Sequence, residues 1–289
     1  PLLEMGGLGT VEIVGTHWHE KRHPEVNLED EEGWDPMGIL FTICGRSGSK
    51  GLRNKNLKEM RGVPLVYYTL ASIRMFMDAH PELEIDTALN TDSRELEDLI
   101  QGQKMVPDVK RIERRKELAG DTAAKVEVIR DTYLQCAKEK PYDVVVDLDI
   151  TSPMRRVEDI ESAVERLQSD CQLDLVFSVV DSRRSPYFNM VEQDGDTYRK
   201  VCPSGFTARQ QAPKVYELNA SIYAYSPRFL NQVIDKTILD YNCQIVKMPD
   251  FLVLDIDSEE DFRRMSYLID WFMQEDPGIR KLVEAVNVF

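Results

Sequence analysis

From Gly38 onward the chain alternates two periodicities: short apolar runs, then longer stretches whose apolar residues recur every three or four positions. Strand-like runs fall at 38–44, 84–90, 107–112, 143–149, 174–180, 219–225 and 243–248, with a shorter one at 251–256. Helical spacing fits 64–79, 93–101, 122–138, 157–168 and 258–274. Runs such as Val144-Val145-Val146 are apolar at consecutive positions, so both faces of those strands must be covered. The pattern predicts an α/β fold, a mainly parallel sheet between layers of helices. Asp121 or Thr122 is placed to cap the third helix, and Ser258 with Glu259-Glu260-Asp261 opens the last one.

A chain of 289 residues, 42% of them hydrophobic, can bury one sizeable core and a smaller lobe. Between 181 and 218 the alternation gives way to polar sequence carrying Pro186, Pro203 and Pro213. That is too long for an ordinary connection and predicts an inserted lobe. Residues 1–37 read as an N-terminal extension of unassigned role, glycine-rich at first and then acidic at Glu29-Asp30-Glu31-Glu32. His17, His19 and His23 lie there at ligand-like spacing but without cysteine or carboxylate partners, and they read as solvated.

Charge and cysteine usage exclude whole classes. A net charge of −15 disfavours nucleic acid and anionic membranes as partners, since both require a basic face. No apolar stretch reaches the roughly 18 residues that span a bilayer, and the Pro1-Leu2-Leu3-Glu4 start has no signal-peptide pattern. Cys44, Cys136, Cys171, Cys202 and Cys243 are odd in number and widely spaced, which suits the reducing cytoplasm better than a disulfide framework.

In so acidic a chain, the segment Cys44-Gly45-Arg46-Ser47-Gly48-Ser49-Lys50-Gly51-Leu52-Arg53-Asn54-Lys55-Asn56 is exceptional. It follows an apolar strand and gathers four cations, the arrangement by which α/β folds cradle phosphate. A P-loop would need glycine, lysine and then serine or threonine in that order, yet Lys50 precedes Gly51 and Leu52 follows. Glycines at 45, 48 and 51 also break the dinucleotide fingerprint. Arg46 and Lys55 suit a triphosphate, one as a fork across two oxygens and the other as a point charge. Asp255 and Asp257, two apart, would present both carboxylates to one side of an extended strand and so offer hard oxygens to magnesium.

The loop resembles the signature of the cytidylyltransferases that activate sialic acid and related acidic sugars. Further motifs follow in that family's order: Asn90-Thr91-Asp92, Arg114-Arg115-Lys116-Glu117-Leu118-Ala119-Gly120-Asp121, Leu148-Asp149-Ile150-Thr151-Ser152-Pro153-Met154-Arg155, Arg209-Gln210-Gln211-Ala212-Pro213, Asn219-Ala220-Ser221-Ile222-Tyr223 and Asp255-Ile256-Asp257. The resemblance spans about 38–265 and implies a three-layer, Rossmann-like fold of the nucleotide-diphospho-sugar-transferase type. It places the cytidylyltransferase domain at 38–280, with the inserted lobe serving dimerisation.

The reaction it implies joins CTP to the anomeric hydroxyl of a nulosonic acid, giving a CMP-sugar and pyrophosphate, with Mg²⁺ as cofactor. Arg46, Lys55, Asp257 and Arg209 are the expected catalytic residues. Nucleotide contacts fall to Arg46, Ser49, Lys50, Lys55, Asn56, Asp92 and Arg114, although Arg115 leaves the register of Arg114 open by one. Asp92 is equally placed to cap the helix at 93–101. Arg209, a bidentate match for the sugar carboxylate, joins Asn219, Tyr223 and Asp149 on the acceptor side, and Gln210 is a further candidate. Asp255 and Asp257 would hold the metal.

Asp149 departs from the glutamine usual in enzymes for sialic acid. A carboxylate there would be a third metal ligand or a sugar contact, and it moves legionaminic acid up as acceptor. The partners implied are CTP, an acidic nine-carbon sugar and a second copy of the chain, as a homodimer or a tetramer. A synthetase for the eight-carbon ketodeoxyoctonate, and a non-catalytic nucleotide-binding protein on the same scaffold, remain the alternatives.

Overall fold

The computed structural model describes residues 36–48, 52, 54–120 and 123–288. The histidines of the N-terminal segment, the capping candidates Asp121 and Thr122, and the loop residues Ser49, Lys50, Gly51 and Arg53 lie outside them. Pro36–Phe289 forms one compact unit.

The strands are β1 (Gly38–Gly45), β2 (Glu59–Met60), β3 (Val63–Pro64), β4 (Glu84–Thr91), β5 (Lys110–Glu113), β6 (Val144–Leu148), β7 (Leu175–Asp181), β8 (Val191–Asp194), β9 (Thr197–Lys200), β10 (Tyr216–Tyr225) and β11 (Cys243–Lys247). The helices are α1 (Leu65–Ala79), α2 (Arg94–Gly102), α3 (Lys125–Cys136), α4 (Val157–Gln168), α5 (Pro227–Leu230), α6 (Glu259–Glu275) and α7 (Pro277–Val288). Among the described residues, seven strands make one sheet in the order β11-β7-β10-β6-β1-β4-β5. β1 runs parallel to β4 and β6, and β4 to β5, whereas β10 is antiparallel to both of its neighbours. The sheet is therefore mainly parallel, as the apolar runs require.

Both faces are covered. Leu40, Val145, Leu175, Phe177 and Tyr225 join Val126, Ile129 and Tyr133 of α3 and Phe229 and Leu230 of α5 in one core cluster. On the other face Phe76 of α1 meets Phe41 edge-on, with ring centroids 5.3 Å apart, and α4 packs on β7, β10 and β11. Ile39, Leu40, Phe41 and Ile43 of β1 are all fully buried. Alternating rows of one strand thus feed two separate apolar layers.

Two elements differ from the sequence reading. The run at 251–256 is not a strand: Asp250–Val253 turns as a 3-10 helix after Pro249, and residues 254–257 carry no strand assignment. Ile256 is tied to a neighbour there through its main chain, its N–H donating to the Thr151 carbonyl at 2.9 Å. The C-terminal helix α7 was not read from the sequence, and a domain ending at 280 would cut it. Asp276 accepts from the N–H groups of Gly278 and Ile279, and Pro277 stands at the start, where its missing N–H costs nothing. α7 then packs against α1 and α6. Between β7 and β10 the chain forms the hairpin β8–β9 and a 3-10 turn at Arg209–Gln211.

Within β10 the register shifts between Leu218 and Tyr223, and Ala220 adopts φ 52°. An L-residue pays about 1–2 kcal/mol for that left-handed conformation. The bulge turns Asn219 and Ser221 into the core, where both are buried. No described helix is long and apolar enough to cross a membrane.

Candidate active site at the carboxyl ends of the parallel strands

Arg46, Asp92, Arg114 and Asp149 each stand one residue beyond the end of β1, β4, β5 and β6. These are neighbouring parallel strands, so their carboxyl ends share one rim, where ligands settle in open α/β sheets. A cleft of about 250 Å³ opens there, lined by Arg46, Lys55, Asn56, Arg114, Lys125, Asp149 and Asp255 among others.

Local geometry explains how the basic loop is held. A Cβ on Gly45 would collide with Leu96 and stand 3.1 Å from Ile150, so any larger residue there would force the Leu96 side chain to shift. Asp92 accepts from both the Ser47 N–H and its hydroxyl at 2.7 Å, anchoring the loop. The capping of α2 falls instead to Ser93, whose hydroxyl accepts from the Leu96 N–H. Asn54 sits at φ 54°, a conformation asparagine tolerates, and starts the turn Lys55–Leu57. That turn brings Asn56 back to donate to the Arg46 carbonyl at 3.2 Å. Ser49 and Lys50 fall outside the described residues.

Opposite the loop lie the two aspartates. Lys55 Nζ stands 3.0 Å from Asp257 Oδ1, so residues 202 positions apart in the chain meet at the cleft. Asp255 is more enclosed, and its Oδ1 is buried with no hydrogen-bond partner. Burial raises its pKa, and the charges of Asp149 and Asp257 raise it further against the hydrogen bond from Thr151 and the charge of Lys55. An orphaned carboxylate oxygen beside a second carboxylate fits a hard cation.

Arg114 donates to the side-chain and main-chain oxygens of Asn90 at 2.9 and 3.0 Å. Arg115 instead pairs with Asp131 at 3.0 Å. Arg114 lines the cleft, and Arg115 is not among its lining residues. Burial, with Asp147, keeps the Cys44 thiol well above its usual pKa, and so protonated and poorly suited to nucleophilic attack.

Asp149 is fully engaged within the protein. Its Oδ1 accepts from the Thr151 N–H at 2.9 Å and hydroxyl at 2.8 Å, and its Oδ2 lies 2.5 Å from Lys125 Nζ. Burial acts to raise its pKa, but Lys125 and Thr151 outweigh that and hold it far below the carboxylate range. Among the described residues no group of three or more His, Cys, Asp or Glu side chains is arranged to hold a metal.

Two other expected sugar contacts lie elsewhere. Asn219 is 1% exposed: Ser178 donates to its Oδ1 at 2.6 Å, and its amide donates toward Leu252 O. Both ends of the amide are spent on the core, so Asn219 is corrected to a structural residue that ties β10 to β7. Arg209 is exposed and donates to the Ser182 carbonyl at 2.6 Å in a separate cavity with Gln210, Tyr216 and Lys247. Within one chain it does not reach the Lys55 cleft. Tyr223 stacks on Tyr225, ring centroids 6.2 Å apart, in a cavity whose wall shares Lys125 with the cleft.

Two residues escaped the sequence reading. Arg155 is 1% exposed and donates from Nη2 to the carbonyls of Asp149 and Ser152, and from Nε to Ser221. It sets the backbone on which Asp149 and Thr151 stand, a role that its place at the end of the Leu148–Arg155 motif does not specify. Lys125 did carry a signal: a cation on the first residue of α3 opposes the helix dipole and so needs acidic partners.

Residues 40–192 match the family model described as Cytidylyltransferase. The chain is 35% identical over 234 residues to post-translational flagellin modification protein B of Campylobacter coli, covering 80% of this chain and 94% of that protein. It is 33% identical over 233 residues to CMP-N,N'-diacetyllegionaminic acid synthase of Campylobacter jejuni, again with 80% and 94% covered. A CMP-2-keto-3-deoxy-manno-octonic acid synthetase solved in complex with CTP superposes with a TM-score of 0.56 at 15% identity, over 81% of this chain and 98% of that one. The last shows the nucleotide-sugar-transferase-like fold. The family match and the two bacterial relatives show that this chain belongs to the cytidylyltransferase family of nucleotidyltransferases.

Proposed function

We propose that the enzyme joins CTP to the anomeric hydroxyl of a nulosonic acid, with legionaminic acid as acceptor ahead of sialic acid. The observation that carries this reading is the meeting of Lys55 with Asp257 at the rim where β1, β4, β5 and β6 end. The acceptor oxygen would form a bond to the α-phosphorus while the bond to the β-phosphate oxygen breaks. Pyrophosphate leaves, and the hydroxyl proton passes to solvent.

Positioning and charge do the work of such a transfer. Arg46 and Lys55 would hold the triphosphate, Asn56 and Arg114 the nucleoside, and Asp255 with Asp257 a magnesium ion. That ion, when bound, neutralises charge developing on the leaving pyrophosphate. Asp149 would act through Lys125 rather than as a free ligand, because both its oxygens are already bonded. A site without the amide usual at this position, and the similarity to a legionaminic acid synthase, favour that acceptor.

Tyr223 would line the acceptor pocket beside the cleft. Arg209 would serve the partner chain's acceptor site across a dimer, because its own cleft is out of reach. Exposed apolar residues on the β8–β9 hairpin, Val191 at 62% and Tyr198 at 70%, support the 181–218 segment as the dimer surface.

Pyrophosphate release tests this directly, with CTP, UTP, GTP and ATP each crossed against legionaminic, sialic, pseudaminic and ketodeoxyoctonic acids. Release with CTP and legionaminic acid is expected, dependent on magnesium and lost on chelation. A preference for ketodeoxyoctonic acid would favour the eight-carbon alternative. CTP binding with no turnover on any acceptor would favour a non-catalytic protein.

A further inference from the structure

We propose that Lys125 is a built-in counter-cation of the cleft, so that this chain binds CTP with one divalent ion and Asp149 is not a metal ligand. The proposal rests on the cleft being the CTP site. The Lys125 ammonium lies 2.8 Å from Asp147 Oδ2 and 2.5 Å from Asp149 Oδ2. Asp147 is fully buried in the middle of β6, and its other oxygen accepts from the Thr42 hydroxyl at 2.8 Å. The remaining oxygen of Asp149 is taken by Thr151. Three of the four carboxylate oxygens accept hydrogen bonds, and the fourth, Asp147 Oδ2, faces the ammonium as an ion pair without one.

A metal on Asp149 would have to displace that ammonium and leave the buried Asp147 charge unpaired. The lysine is held by an aromatic ring and by the two acids. Its ammonium stands 5.6 Å from the Tyr223 ring centroid, within cation–π range. It also begins α3, where the helix dipole repels a cation, so the two acids offset an otherwise unfavourable position. The divalent ion is left with Asp255, whose buried Oδ1 has no partner, and Asp257 beside it. One or two carboxylates plus substrate phosphates is a usual protein share of a magnesium shell. Lys125 lines both the cleft and the neighbouring Tyr223 cavity, so its charge is fixed at the wall between them.

Counting bound Mn²⁺ tests this, by electron paramagnetic resonance of free Mn²⁺ with the full chain at saturating CTP. One Mn²⁺ per CTP-loaded chain is expected for the unaltered protein, and two for Lys125→Met, which frees Asp147 and Asp149. Asp149→Asn should still bind one. Two ions in the unaltered chain, one in a folded, CTP-binding Lys125→Met, or none in a folded, CTP-binding Asp149→Asn would each overturn the proposal. Should Lys125→Met not fold, the unaltered chain and Asp149→Asn decide the matter. An unaltered chain that binds no CTP at all would overturn the nucleotide reading itself, and this proposal with it.

Discussion

Replacing Lys55 by alanine is expected to lower kcat/KM for CTP by about 10²–10³-fold while the thermal midpoint moves little. The two halves of this expectation have separate causes. Lys55 faces the cleft beside Asp257, so its charge would act on the phosphates as pyrophosphate departs. Its contribution to the resting fold is small, because the Asp257 side chain is 72% exposed and exposed ion pairs contribute about 0–1 kcal/mol. Lys58 supplies the control. It pairs with Glu259 at 2.7 Å, a few residues away on the same face of the chain but outside the cleft lining. Lys58→Ala should leave turnover unchanged. Equal losses in both variants, measured in one pyrophosphate assay with matched melting curves, would mean that the cleft charge is not what Lys55 supplies.

Asp255→Asn should act in opposite directions on activity and stability. Burial and two neighbouring carboxylates raise the Asp255 pKa, and its Oδ1 lacks a partner. Folding therefore places this carboxylate where its charge is disfavoured, which the functional reading explains by a role in holding a metal ion. An amide removes that charge. The expected result is a fall in kcat/KM of about 10²–10³-fold together with a rise in Tm of about 2–4 °C.

The pH dependence fixes the sign. A carboxyl whose pKa is raised on folding contributes stability that is fully present below its unfolded pKa and is lost as the pH rises through the folded value. The Tm advantage of Asp255→Asn should therefore be smallest in acid and grow toward neutral pH. Melting curves across that range, with metal excluded, check it. A variant that is less stable than the parent at neutral pH would remove Asp255 from the account.

Much of this architecture is legible in the residues because local chemistry and tertiary context agree there. Val144-Val145-Val146 can only be a strand buried on both faces, and Ser258 with Asp261 forms the capping box that its sequence advertises. The 251–256 run misled because the four apolar residues Phe251–Leu254, beginning two positions after Pro249, fit a turn as well as a strand. Here a core amide, Asn219, claims the Leu252 carbonyl that a strand neighbour would have used. Helix α7 was legible in principle from Asp276 and Pro277 but went unread.

The site divides in the same way. Arg46, Lys55, Asn56, Arg114, Asp149 and Asp255 come together because each follows a strand or lies in a loop tied to one. Asn219 did not, since the bulge around Ala220 decides which way it faces, and no local pattern reports a bulge. Lys125 and Arg155 are bound by long-range partners, Asp147 and Ser221, that only the sheet brings near. For Lys125 the clue was a local misfit, a lysine at the positive end of a helix opposite an aspartate in an apolar strand.

A crystal structure with CTP and Mn²⁺ tests the central claim most directly. The account predicts the triphosphate between Arg46 and Lys55, with a manganese anomalous peak against Asp255 and Asp257. Nucleotide bound in the separate cavity of Arg209, or a metal peak remote from both aspartates, would contradict it.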